Sequence, residues 1–275
     1  MDLGGLSIRE LIRRTVRESW EDAVFGQGGR MAFYQFLAIF PALLMLHVAA
    51  EHIPGLSPEV RQSFPEAATR IMPSDVIEMV RSVAGDFNKV QLPGWRFLTT
   101  LGGVLWAGCN GTWAMIYGLN TAYEVRESRR TGQLAIAIVG LTVALVLIIT
   151  FALGVVAASA SLRSRVHASV PLGLIEWAVL ITVLLFWFSV LYRFAPSLKN
   201  RGWQWSTPGA LVAAALWVGA TIAARFYFER IDNYHVSFGR LNGVAMLLLW
   251  LYVTNGAILI GGEMNSEIEK AAESG

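Results

Sequence analysis

Apolar residues are gathered along this chain into six runs, at about 32–50, 97–119, 134–160, 172–194, 208–228 and 243–262. A helix rises 1.5 Å per residue, so roughly 20 apolar residues cross a hydrocarbon core about 30 Å thick, and each run is close to that length. Inside a bilayer the backbone must satisfy its own hydrogen bonds, and the runs lack the strict alternation of a membrane barrel strand. The pattern therefore predicts an all-α fold, a polytopic membrane protein with six transmembrane helices.

Two stretches outside the runs carry a pattern of their own. From 8 to 24, Ile8, Ile12, Val16, Trp20 and Val24 recur every fourth residue, with Leu11 beside them and Arg9, Arg13, Arg14 and Arg17 on the flank. That spacing predicts an amphipathic helix, one that either lies on an anionic membrane surface or packs across the ends of the bundle. Between the first two runs, residues 51–96 form the one long connection. Ser57-Pro58-Glu59 and Ser74-Asp75 each place a capping side chain before an apolar-periodic stretch, which predicts two short helices outside the membrane. The organisation expected is an amphipathic N-terminal segment, 1–30, a six-helix transmembrane domain, 31–268, that includes the helical loop, and a short tail, 269–275. The first three runs and the last three show no sequence repeat, so an inverted-repeat transporter finds no support here.

Composition agrees with a membrane environment. Of 275 residues, 55% are hydrophobic and 15% charged, against roughly 25% charged in a soluble domain. The mean hydropathy is +0.50. These values exclude a soluble enzyme, a disordered tail and a secreted disulfide scaffold. The lone cysteine, Cys109, lies inside an apolar run, and no intrachain disulfide is possible. The net charge of +2 is spread out, with no basic cluster suited to nucleic acid. The first 25 residues are charged throughout, unlike a secretory leader.

An even number of crossings puts both termini on one side. Lysines and arginines divide almost evenly overall, but the short connections are biased: Arg126, Arg129 and Arg130 follow the second run, and Arg193, Lys199 and Arg201 follow the fourth. The positive-inside rule then expects both termini in the cytoplasm.

A charge at bilayer depth costs at least about 2.5 kcal/mol, so polar residues within the runs are the natural functional candidates. Arg225, Glu229 and Asp232 lie on one face of the fifth run if its helix continues that far; equally, the helix could end near Phe228 and leave the acidic pair in an interfacial loop. Asn110 and Asn120 stand among the glycines of the second run, where small residues and amides favour close helix packing near the bundle centre. A helix broken at 108–111 is the alternative. Asn255 and Glu263 are the polar residues of the sixth run and its end. Arg30 and Tyr34 sit one turn apart at the entry to the first run, suited to an anionic headgroup or to plain interfacial anchoring. Arg193 closes the fourth run. Pro41 should kink the first helix. The candidate substrate-binding set is thus Arg30, Tyr34, Asn110, Asn120, Arg193, Arg225, Glu229, Asp232, Asn255 and Glu263.

Familiar catalytic arrangements do not occur. His47, His52, His167 and His235 stand singly, with no zinc-ligand spacing, and there is no phosphate-binding glycine loop and no GxSxG elbow. Neither a cofactor nor a metal is implied, and no catalytic residue is assigned.

Five local strings, taken in order, resemble a known family. They are Ala32-Phe33-Tyr34 with Phe40-Pro41, Leu119-Asn120 with Ala122-Tyr123-Glu124-Val125-Arg126-Glu127, Tyr192-Arg193-Phe194-Ala195-Pro196, Pro208-Gly209-Ala210, and Gly262-Glu263-Met264-Asn265. Together, over about residues 20–268, they are similar to the YihY/BrkB family of bacterial inner-membrane proteins. The resemblance implies six spans with cytoplasmic termini and location in the bacterial plasma membrane. It also brings an old ribonuclease BN label, which the absence of clustered metal ligands and of a basic cleft argues against. The family pattern has Tyr-Gly after a serine between the last two spans; here Ser237-Phe238-Gly239 lacks that hydroxyl, so no role for it is carried over.

Two functional readings follow, with a membrane enzyme as a third. One is a transporter or lipid- or amphiphile-handling protein whose polar groups converge on an intramembrane cavity and meet an anionic lipid or solute. The other is a non-catalytic scaffold that presents the 51–96 loop to an extracytoplasmic protein partner. Membrane lipids are the expected partners in either case, nucleic acid is not, and the oligomeric state is left open.

Overall fold

A computed structural model describes residues 5–52, 94–165, 169–198, 207–230 and 240–274. Among them are seven helices and no strand: α1 (Ile8–Glu21), α2 (Val24–His52), α3 (Gly94–Ala122), α4 (Thr131–Arg165), α5 (Ser169–Phe194), α6 (Pro208–Arg230) and α7 (Arg240–Ser274). Helices α2 to α7 fall on the six apolar runs and overshoot them. Among the described residues three are long and apolar enough to cross a membrane, in Thr131–Ala152, Leu174–Phe194 and Val244–Ala272, and α6 carries a shorter apolar stretch, Pro208–Ala224. The expected helices of the 51–96 loop fall on 53–93, outside the described residues.

Local chemistry sets the helix ends. Ser7 caps α1 by accepting the Glu10 N–H at 3.2 Å, and Glu10 pairs with Arg14 one turn on at 2.9 Å. The helix stops at Asp22, whose N–H turns back to the Glu18 and Trp20 carbonyls. Ala23 then takes a left-handed φ of 49°, and the chain reverses into α2. The amphipathic helix therefore ends at Glu21, and residues 24–30 already belong to the first long helix. At α6, Thr207 caps the start by accepting the Ala210 N–H, and Pro208 fills the first helical position, where no backbone donor is needed. Helix α3 is continuous through 108–111, so the broken-helix alternative is not what forms, and α2 runs on through Pro41.

Helix α7 is the axis of the bundle, packing on α1, α2, α3 and α6; α3 packs on α2 and α4, and α5 joins α4 to α6. Glycine is what lets α7 occupy that place. A Cβ on Gly261 would overlap the Tyr192 hydroxyl and the Gly209 carbonyl, and one on Gly209 would overlap the Gly261 carbonyl and the Asn265 side chain. Into this contact Asn265 accepts the Gly209 N–H at 2.9 Å and donates to Thr207 Oγ1 at 3.0 Å, while Tyr192 donates to the Ile258 carbonyl at 2.7 Å. The main apolar core, with Met31, Ile116, Leu119, Phe188, Leu191, Tyr192 and Leu259, gathers at the same end of the bundle.

Faces turned outward are apolar. Ile136, Val139, Val143, Val146, Leu147 and Phe151 of α4 are exposed, as expected of a helix solvated by lipid. Helix α1 packs on α7 and α2 with Leu11, Thr15, Glu18 and Ser19 buried, while its apolar stripe is turned out, with Ile8 67% and Trp20 71% exposed. The stripe continues through the Trp20 and Phe25 rings, 5.8 Å apart, to Tyr252, 6.3 Å farther on.

Candidate functional site

Where α2, α3 and α7 meet, polar groups face one another inside apolar surroundings. Asn255 is fully buried (0% exposed) and exchanges two hydrogen bonds with Gln35: its Nδ2 donates to Gln35 Oε1 at 2.8 Å and its Oδ1 accepts from Gln35 Nε2 at 3.1 Å. Asn255 Nδ2 also reaches the Leu251 carbonyl at 2.8 Å. Gly111 on α3 lies against Gln35, leaving room for that side chain. Gly28 brings the α2 backbone close to that of α7 at Tyr252 and Gly256. A reciprocal amide pair satisfies both side chains in a region where an unpaired amide would be costly.

Arg30 stands on the same helix as Gln35, about 7.5 Å along its axis. Its guanidinium lies over the Tyr117 ring at 4.2 Å and donates to Gln27 Oε1 at 2.7 Å. Its Nε is buried and meets no acceptor, and no carboxylate among the described residues pairs with it. Tyr34, one turn on, is half-buried, edge-on to Phe33 at 5.7 Å.

A second polar region lies where α1 docks on the end of α7. Glu18, Asp22, Glu124, Glu263 and Glu267 converge there with Arg14, Arg17 and Lys270. Glu263, 1% exposed, faces Asp22 at hydrogen-bonding range. Burial holds the Asp22 carboxyl above the usual aspartate range, and nearby Glu124 and Glu18 push the same way.

The other candidate residues have local duties. Asn120 accepts the Ser197 N–H at 2.8 Å and donates to Glu127 Oε2 at 3.0 Å, tying the turn after α3 to the end of α5. Arg129 completes that tie, forking onto Glu127 at 2.8 and 2.6 Å and donating to the Phe194 and Ala195 carbonyls at 3.2 and 2.8 Å. The guanidinium holds Glu127 down to about 2. Asn110 turns back onto the Trp106 carbonyl of its own helix at 2.7 Å, and Arg193 lies 5.6 Å from the Phe194 ring. The Arg225 and Glu229 side chains, and Asp232, lie outside the described residues. No group of three or more His, Cys, Asp or Glu among the described residues could hold a metal ion.

Sequence reading passed over Gln35, Tyr117, Asp22 and Glu18. Gln35 carried a readable signal, a polar side chain within an apolar run. Asp22 carried none, because its significance comes from a residue 241 positions away.

A helical bundle with long apolar helices, lipid-exposed apolar faces and polar groups satisfied against one another is an integral membrane protein. The family model described as virulence factor BrkB matches residues 15–275, and the chain belongs to that family. Among relatives, a protein named as ribonuclease-like, YfkH of Bacillus subtilis, is 28% identical over 253 residues, covering 89% of this chain and 90% of its own. A UPF0761 membrane protein of Pseudoalteromonas translucida is 22% identical over 90% of this chain and 81% of its own. Another, of Ralstonia nicotianae, is 24% identical over 92% of this chain and 57% of its own. No solved structure matches.

Proposed function

We propose that this protein handles an anionic amphiphile in the bacterial plasma membrane, crossing it six times with both termini in the cytoplasm, and that Arg30 is the cation that meets the headgroup. The carrying observation is Arg30 itself, half-buried with no carboxylate partner among the described residues and its Nε buried without an acceptor. A guanidinium in such a place is costly, and a phosphate or carboxylate supplied by a ligand would offset that cost with a fork of charge-assisted hydrogen bonds. Tyr34, Asn255 and the newly seen Gln35 and Tyr117 would shape the site around it. The exposed stripe of α1, flanked by arginines, supports a helix lying on an anionic leaflet.

YfkH is named ribonuclease-like; nothing among the described side chains of the present chain forms a constellation for phosphodiester cleavage, and that activity is not part of the proposal. The test is lipid retention by the full chain in nanodiscs of mixed phosphatidylglycerol and phosphatidylcholine. Wild-type protein should co-purify preferentially with the anionic lipid, and Arg30→Gln should lose about tenfold of that preference. Equal preference in both proteins would contradict the assignment.

A further inference from the structure

Eight charged groups meet at the α1–α7 seam, and most have partners. Arg17 donates to Glu18 at 2.7 Å. Lys270 donates to Glu124 at 2.7 Å and to Glu267 at 2.8 Å, and Arg14 approaches the other oxygen of Glu267 at 4.0 Å. That accounts for the nearby cations among the described residues and leaves Asp22 and Glu263 facing each other. The Oδ2 of Asp22 and the Oε1 of Glu263 are both buried, and among the described residues no N–H or O–H reaches either.

Two carboxylates in contact cannot both stay ionised where water cannot screen them, and Glu263 is 1% exposed. One proton resolves both problems at once: the O–H of one carboxyl donates to the carboxylate of the other, satisfying the two orphaned oxygens and removing one charge. The groups that face the pair come from each element around it: Glu18 on α1, Glu124 in the turn after α3, and Lys270 on α7. The two glutamates favour holding the proton. Lys270 opposes it, but its ammonium is shared between two other carboxylates.

We propose that Asp22 and Glu263 form a proton-binding site, and that its occupancy governs how firmly the amphipathic helix α1 is held on α7. Asp22 is the residue that ends α1, and its carboxyl meets that of Glu263 on the axial helix. With the proton bound, a neutral-to-anionic hydrogen bond closes the seam. When it leaves for solvent, two like charges face each other and docking weakens. Docked, the pair binds one proton more than separated, solvated carboxyls do. Docking is therefore strongest below the ordinary carboxyl range and falls as pH rises, by up to tenfold in its equilibrium constant per pH unit until the pair has titrated. This inference is independent of the role given to Arg30.

The experiment uses full-length protein in nanodiscs, followed by infrared titration of the protonated-carboxyl stretch and by the distance between probes at exposed Arg13 and Ala272, with Cys109 replaced by alanine. Wild-type protein should show a protonated carboxyl at pH 7 that disappears on alkalinisation together with lengthening of the probe distance. Glu263→Gln should lose the band and keep α1 docked across the same pH range. Asp22→Asn, at the half-exposed partner, should do the same and serves if the buried variant does not fold. No protonated carboxyl at neutral pH, a wild-type pH response in the folded variant, or loss of the band on adding sodium or calcium at fixed pH would each overturn the proposal, the last by giving the pair to a metal cation.

Discussion

Asn255 and Gln35 illustrate what a single polar side chain costs in this bundle. Replacing either by leucine strands the other amide, at about 1–3 kcal/mol by soluble-protein measure and less in a membrane. The Gln35→Leu/Asn255→Leu double variant should be more stable than the sum of the single losses predicts, with a coupling near 1 kcal/mol in detergent unfolding; strict additivity would mean that the pair is not coupled. Arg129 holds a different kind of contact, at the membrane edge. Arg129→Ala should lower stability by on the order of 2 kcal/mol, because one guanidinium holds Glu127 and two helix-end carbonyls. The pH dependence has a definite sign. Glu127 is held down to about 2 from an ordinary 4.5, so its contribution is complete above that ordinary value and fades as pH falls toward 2. In Arg129→Ala this acid limb should move up in pH, as read by thermal unfolding between pH 2 and 5. Asn255 was legible in the sequence as an expensive residue inside an apolar run, and Arg30 as a cation one turn from Tyr34 at the entry to one. Asp22 was not, since a carboxylate at a helix end is ordinary until its neighbour across the fold is known.

Helices were legible because hydrophobic run length and helix length answer to the same bilayer. Their ends were less so: α7 continues to Ser274, well past the last apolar residue of its run, because Asn265, Glu267 and Lys270 find partners on α1, the turn after α3 and the start of α6 instead of in lipid. The same contacts bring together residues that lie far apart in the sequence. Asn120, Glu127, Tyr192, Gly209 and Asn265 meet at one end of the bundle and fix its helices to each other. Gly261→Ala should therefore fail to pack α6 on α7, costing at or above the roughly 1–3 kcal/mol of ordinary overpacking. Gly219→Ala, where an added methyl meets open space, should leave the melting curve unchanged. For α1 the sequence left two resting places open; one face packs on α7 and its apolar stripe is turned outward. Trp20 fluorescence should be quenched by brominated acyl chains, and Ile12→Ser/Val16→Ser should reduce that quenching while helix content stays the same.

At the scale of the whole molecule, an apolar exterior and a polar interior seam make sense only in a membrane, with charged groups concentrated at the terminus end. The proposed headgroup site at Arg30 and the carboxyl pair at Asp22 and Glu263 both depend on which end of the bundle faces the cytoplasm and on how many times the chain crosses. Single-cysteine labelling in intact cells, on a Cys109→Ala background, measures the first directly and shows whether the second is even. Cysteines at Ser7 and Ser274 should react with a membrane-impermeant maleimide only after the cells are opened, and a cysteine at Ser74 should react without opening them. Labelling of Ser7 and Ser274 on opposite sides, or protection of Ser74 until lysis, would contradict six crossings with both ends inside.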